Sequence, residues 1–278
     1  MINRNSNIIG SSLGKLNPVI LYPTTTTTMG PTTTTTSTTS TTTTTLAPTT
    51  TTTTTLAPIV SDSLLAWMSC DSMTGSVWYD KSGNGNNALI SGSAMSLSSS
   101  VGYIFNGTDN FITYPRPFNG LVTQNYATVQ FYGIINSGSN NNYDLFCYDN
   151  YANGWDTDFT TANYSYGEMV VRDQAGQDKY AGNQGNIYFG GKSLWTITLD
   201  APNDIAKLYK NGTFVTNFSN GTISSLFNAT VPMKFGWNVN SDNTYFNGVV
   251  SDLLVYNKIL SDSEVLQNYN ALAARSCV

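Results

Sequence analysis

The sequence predicts an all-β head, a two-sheet antiparallel jelly-roll sandwich with one short C-terminal helix, preceded by an extended Thr-rich stalk. Three observations carry this. From residue 59 onward, short strand-like alternations recur between turn residues, and helical periodicity is absent until the end. No strand–helix–strand spacing appears, so the strands are expected to pair antiparallel in two packed sheets. Ahead of them, residues 23–58 are almost pure threonine, a composition with no apolar surface to bury.

The expected organisation is therefore a tether over 1–22, a stalk over 23–58 and a head over 59–278. The tether carries Leu16, Val19, Ile20, Leu21 and Tyr22 around Pro18, which suits either a disordered tail or a peptide adding to a sheet edge or groove on a larger particle. In the stalk, five threonines followed by Leu-Ala-Pro occur at Thr41 to Pro48 and again at Thr51 to Pro58. Threonine is β-branched and favours extended backbone. One copy is a semi-flexible linker, whereas three parallel copies can align as a thin fibre; an ordered oligomeric stalk, with a trimer favoured, is the expectation.

Within the head, Leu64–Met68 opens the series of strands. Val77–Tyr79, Ala88–Ile90, Tyr103–Phe105 and Phe111–Tyr114 follow as short ones. Ala127–Ile135 alternates well. Asp144–Tyr148, Tyr166–Arg172, Ile187–Phe189, Leu194–Leu199 and Ile205–Lys210 continue, and Asn211-Gly212 suits a type I′ hairpin returning along Thr213–Phe218. Met233–Trp237 and Tyr245–Tyr256 complete the sheets. The helix begins at the capping box Ser261-Asp-Ser-Glu264, and Val265, Leu266, Tyr269 and Leu272 form its apolar face, expected to cover a sheet edge or the end of the sandwich. Trp67, Trp78 and Trp195 fall in strand-like runs and are expected in the core.

Composition narrows the chemistry. Charged residues make up 10% of the chain, the formal charge is −5 and no basic cluster occurs, so nucleic-acid phosphate is not an expected partner. There is no histidine, which excludes Ser-His-Asp and Cys-His catalysis and His-ligated zinc. Glu168 and Glu264 are the two glutamates and stand far apart, so no enzyme is expected. The cysteines are Cys70, Cys147 and Cys277, an odd number without metal-ligand spacing. Small apolar residues in a reduced protein are the favoured reading, with a Cys70–Cys277 disulfide between the two ends of the head as the alternative. The N-terminus lacks the apolar core of a signal peptide, and no run approaches a membrane span. Synthesis in a cytosol, with export inside an assembly, is the corresponding expectation.

Several segments in order, Trp78-Tyr-Asp-Lys-Ser-Gly-Asn-Gly-Asn86-Asn-Ala88, Phe105-Asn-Gly-Thr-Asp-Asn-Phe111, Ser193-Leu-Trp-Thr-Ile-Thr-Leu199, Leu208-Tyr-Lys-Asn-Gly212 and Phe246 through Asn257 with Leu260-Ser-Asp-Ser-Glu264, carry a resemblance. They resemble the laminin-G-like, concanavalin-A-like jelly rolls of bacterial and phage surface proteins. With its stalk, the chain resembles phage head-fibre or decoration proteins. Relatives with glucanase activity carry a Glu-x-Asp-x-x-Glu arrangement that this sequence lacks. The resemblance implies binding rather than catalysis, although the fold hosts many functions.

Sugar rings stack on aromatic faces while Asn, Asp and backbone groups bond their hydroxyls. Two stretches fit that chemistry. The loop-rich stretch 136–166 offers Tyr148, Tyr151, Trp155, Asp156 and Asp158, and a hairpin tip or rim loop over 237–245 offers Trp237 and Asn238. The alternative is that these aromatics only rigidify loops or pack between protomers. Asp80, Ser82, Asn84 and Asn86 alternate as oxygen donors like half of a Ca2+ loop, but the bidentate Glu is missing and a tight Asn-Gly turn explains them equally. Taken together, the expected protein is a virion fibre or decoration protein on the virion surface. Residues 1–22 would hold a capsid or other virion protein, and the head would meet a bacterial surface glycan. A secreted, extracellular bacterial lectin is the alternative, and a polysaccharide depolymerase the third class.

Overall fold

A computed structural model describes residues 57–98, 101–114, 125–136, 142–148, 156–160, 168–172, 178–181, 191–218, 221–222, 233–238, 244–275 and 277. The chain divides into two units, the second being Ala57–Val278, which holds every described residue. The tether over 1–22 and the stalk as far as residue 56 lie outside the described residues, as do the expected strand Ile187–Phe189 and the candidates Tyr151 and Trp155.

The described strands are β1 (Leu64–Thr74), β2 (Val77–Asp80), β3 (Ala88–Ser91), β4 (Ser96–Ser98), β5 (Gly102–Asn106) and β6 (Phe111–Thr113). They continue as β7 (Tyr126–Ile135), β8 (Asn142–Tyr148), β9 (Asp156–Thr160), β10 (Glu168–Arg172), β11 (Asp178–Ala181) and β12 (Ser193–Asp200). The series closes with β13 (Ile205–Lys210), β14 (Thr213–Asn217), β15 (Met233–Phe235), β16 (Trp237–Asn238), β17 (Thr244–Tyr245), β18 (Asn247–Tyr256) and helix α1 (Asp262–Ala273).

Their order along the hydrogen-bonded path is β11-β10-β9-β8-β15-β6-β3-β2-β1-β18-β7-β12-β13-β14, with β5 joined to β18 and β4 to β5. All the pairings are antiparallel, as expected. The path folds over at β1. Leu64 to Ser69 pair with β18, Met68 also pairs with Asp80 of β2, and Met73 and Thr74 pair with β2 after a register shift. One strand thus feeds both layers, which a bulge permits by bending the chain.

Between the layers lies one apolar core. Trp78, Ala88, Ile112 and Phe235 from the second layer meet Val129, Phe131, Ile197, Leu253 and Val255 from the first. Phe105, Phe131, Phe235 and Phe246 meet there largely edge to face, with centroids 5.4–6.0 Å apart, the geometry ring quadrupoles favour. Trp78 and Trp195 are buried as the sequence predicts. Trp67 differs, being half-buried on the outer face of the first layer.

The capping box forms as predicted, Ser261 and Glu264 each accepting from the other's backbone amide. The helix lies beside the edge strand β14, as expected, and also covers the outer face of the first layer. Val265 and Leu272 pack with Leu64, Tyr132, Leu194, Leu254 and Tyr256 in a second cluster on the outer face of the first layer. The reason lies in β18, where successive residues Leu253, Leu254, Val255 and Tyr256 are all buried, so both faces of that layer need cover.

The Asn211-Gly212 turn has φ of 52° and 77°, both positive as a type I′ hairpin requires. A Cβ on Gly212 would stand 2.7 Å from Leu266 Cδ1, so this glycine also lets α1 lie close. Cys70 and Cys277 form a disulfide, which corrects the expectation of reduced thiols. The residues after α1 bring Cys277 back across the sheet to Ser251, whose Oγ lies 3.0 Å from Cys277 Sγ. Among the described residues, no helix is long and apolar enough to cross a membrane.

Candidate functional site

Period-two alternation sets what the second layer shows to solvent. In β6, Ile112 is fully buried, which turns Phe111 and Thr113 outward. In β15, Met233 and Phe235 are buried and Lys234 faces out. Leu89 lies opposite Val77 and Thr113, and Lys234 lies opposite Thr113 and Cys147. Cys147 in turn lies opposite Asp156. A single cross-strand row therefore runs from Val77 through Leu89, Thr113, Lys234 and Cys147 to Asp156, with Leu89 56% exposed and Tyr79 47% exposed on β2 beside it.

Gly236, at φ +88°, ends β15 and swings the chain out, so the expected single run Met233–Trp237 breaks into β15 and β16. The hairpin expected at 237–245 is present, Trp237 pairing with Tyr245 and Asn238 with Thr244. The Trp237 and Tyr245 rings stack at 6.1 Å and 9°. Phe111 meets Trp237 at 4.8 Å and Tyr245 at 6.4 Å. Lys234 Nζ lies 4.2 Å from the Trp237 ring centroid, close enough for a cation–π attraction. All four side chains are half-buried, an apolar cluster with one wet side.

Trp237 is thus brought into a defined aromatic group. In the loop-rich stretch 136–166, the strand expected at Asp144–Tyr148 is present as β8, and β9 is a second strand that was not expected. Backbone pairing puts Tyr148 opposite Met233, Asp156 opposite Cys147, and Asp158 opposite both Asp144 and Val170. The hairpin of β16 and β17 forms a separate two-stranded sheet that lies against β8, so the two candidate stretches are neighbours. Tyr245 closes the stretch that sequence reasoning named, whereas Phe111, Lys234 and Leu89 were not singled out as candidates. Their alternation with buried neighbours was readable, but which parity faces solvent was not.

The metal candidates also come together, as a hydrogen-bonded loop. Asp80 Oδ1 accepts from the Trp67 and Ser82 amides at 2.9 and 2.8 Å. Its Oδ2 accepts from Ser82 Oγ and the Asn86 amide at 2.7 and 2.9 Å. Asn84 Nδ2 donates to the Leu64 carbonyl, and Asn86 Nδ2 to that of Leu65. The loop fastens β1 to β2 through these bonds, which accounts for the residue types without an ion. Among the described residues, no group of three or more His, Cys, Asp or Glu is placed to hold a metal.

On the opposite side of the molecule, Asp252 is 2% exposed and accepts from Trp67 Nε1 and Arg275 at 2.9 Å each. Burial raises its pKa, opposed by Trp67 and Arg275. Nearby Asp71 pairs with Lys81 at 2.8 Å and Arg275 at 3.3 Å. Burial pushes the Asp71 carboxyl up, but hydrogen bonds from Lys81 and Ser69 and the charges of Lys81 and Arg275 outweigh it and hold the pKa at about 2. Because that value lies below the ordinary 3.8, ionised Asp71 stabilises the fold above about pH 4, and this contribution disappears as pH falls through about 2. Asp252 works in the opposite sense, its contribution being lost as pH rises through its elevated folded value. Thermal melts between pH 2 and 5 are therefore expected to show a steeper acid loss for the wild type than for Asp71→Asn; parallel curves would contradict the assignment.

A two-layer antiparallel arrangement of this kind belongs to the fold class of β-sandwiches. The chain is similar in structure to the receptor-binding domain of the botulinum neurotoxin C/D mosaic serotype, at 18% identity and TM-score 0.59, with 76% of this chain and 51% of that chain covered. It is also similar to the botulinum neurotoxin serotype D binding domain (18%, 0.58, 76% and 52%). A third likeness is to the binding domain of botulinum neurotoxin DC, solved in complex with rat synaptotagmin II (16%, 0.60, 77% and 52%). The chain spans about half the length of each. Identities this low establish the fold alone. No protein-family model and no curated protein matches the sequence.

Proposed function

We propose that this chain is a display protein of a virion, a fibre or decoration subunit, whose head binds bacterial surface polysaccharide on the outer face of the second layer. The observation that carries the reading is the Phe111–Trp237–Tyr245 group with Lys234, set beside the cross-strand row that leads to Asp156. Aromatic faces take the apolar side of a sugar ring, and neighbouring polar groups take its hydroxyls. Tyr148, Asp158 and Asn238 belong to strands of the same region, and Tyr151 and Trp155 to the connection between β8 and β9. Residues 1–22 attach to a capsid or other virion protein, and the Thr-rich stalk presents the head as a trimer. Several tethered copies raise a weak site's apparent affinity through effective concentration. Ca2+ at Asp80, Ser82, Asn84 and Asn86 is a weaker part of the proposal, tested by adding chelator.

The second reading, a secreted bacterial lectin, is favoured by the Cys70–Cys277 bond, since disulfides persist in oxidising surroundings. A virion surface after release meets the same condition. An array of bacterial surface polysaccharides, probed with the full chain and with Trp237→Ala, tests the binding site. Binding by the wild type that drops about tenfold or more in the variant is expected for an aromatic anchor. A blank array for the wild type would leave the head as an inert display module, and equal binding by both would place the glycan away from Trp237.

A further inference from the structure

We infer that the Cys70–Cys277 bond and a hydrogen-bonded cluster around Asn268 act together as a mechanical clasp, confining any unravelling from the N-terminal end of the head to the residues before Cys70. The inference concerns load, not ligand, and stands whether or not the head binds a glycan.

The covalent part follows from chain order. Cys70 lies within β1, and Cys277 follows α1, 207 residues later. Every strand from β2 to β18, and α1, falls between them. Tension entering at Ala57 and leaving at the C-terminus therefore runs along the first residues of the head, crosses the disulfide and bypasses the closed loop. The strands that carry the aromatic group lie inside that loop.

The non-covalent part guards the short stretch left outside it. Gln267 Nε2 donates to the Pro58 carbonyl at 2.7 Å. The Val60 amide donates to Asn268 Oδ1 at 2.8 Å, and Tyr256 Oη donates to the Val60 carbonyl at 3.0 Å. Asn268 Nδ2 reaches Gln130 Oε1 and Tyr256 Oη at 2.7 and 2.8 Å, joining helix, sheet and leading segment in one buried network. Lys258 bonds Asp62 at 2.8 Å, and Leu64 to Ser69 are held edge-on to β18. At the far end, Arg275 grips Asp252, Ser69 and Asp71, so the leading and closing segments of the head are both fastened to β1 and β18.

The test is single-molecule stretching of the full chain held by its two ends. Residues 1–56 contribute equally to every trace, so the head's own steps can be compared. With the bond intact, the head is expected to lengthen by no more than about 50 Å, since about 13 residues lie before Cys70 at roughly 3.6 Å each. After reductant is added to the folded wild type, or in Cys70→Ser with Cys277→Ser, the released length should rise about 15-fold, to roughly 800 Å. The reductant arm serves if the double variant does not fold. Asn268→Ala should lower the force of the short step without changing its length. A full-length release from the oxidised chain, or a short one after complete reduction, would overturn the covalent half; an unchanged force in Asn268→Ala would overturn the other.

Discussion

Replacing Cys70 and Cys277 together by serine is expected to lower the unfolding free energy by about 5 kcal/mol, because a cross-link closing so long a loop removes that much chain entropy from the unfolded state. For a head of this size, that corresponds to a fall in Tm of roughly 10–20 °C. The comparison belongs in denaturant titrations of oxidised wild type, reduced wild type and the double variant. The two thiol-free or reduced forms should agree with one another. A difference below about 1 kcal/mol between oxidised and reduced wild type would mean that the bond contributes nothing to the fold.

Asn268→Ala is the second large effect, expected at about 3 kcal/mol. Asn268 is fully buried in α1, and its side chain serves Val60, Gln130 and Tyr256 together. Removing it strands the Val60 amide and Gln130 Oε1 out of reach of water, and each buried polar group left without a partner costs about 1–3 kcal/mol. Gln130 then keeps only its donor bond to Thr196 Oγ1. Asn268→Asp should be no milder, since a carboxylate cannot donate to Gln130 and Tyr256. Chemical denaturation of both variants reads this directly. A loss under 1 kcal/mol for Asn268→Ala would show that the network is already satisfied by other groups.

What could be read from the sequence was local. The capping box at Ser261 and Glu264 and the Asn211-Gly212 turn each depend on residues within a few positions, and both form as expected. Alternation along Ala127–Ile135 likewise marked β7. The misread features depend on partners far away in the chain. The apolar face of α1 was visible, yet its place on the outer face of the first layer was not, because the buried run Leu253 to Tyr256 of β18 puts apolar side chains on both faces of that layer. Asp156–Thr160 looked like loop because its surroundings are rich in Asn and Tyr, and the pairing of β9 with β8 and with β10 outweighs those propensities. The disulfide was undervalued because a sequence separation of 207 hides the closeness of its ends.

The candidate site was half legible. Trp237 stood out as an aromatic among polar residues in a turn-like stretch, and the hairpin that carries it is there. Phe111 did not stand out, since a phenylalanine beside an isoleucine reads as core in either parity. Only the complete burial of Ile112 turns Phe111 to the surface and places it 4.8 Å from Trp237. Lys234 gained meaning in the same way, from two buried neighbours and a ring 4.2 Å away.

Hydrogen–deuterium exchange of the full chain, with and without a bacterial surface polysaccharide that it binds, tests the placement of the site most directly. Protection concentrated at residues 111–114 and 233–238, with α1 and the β13–β14 hairpin unchanged, is the expected result. Protection confined to α1 or to β13 and β14 would contradict it.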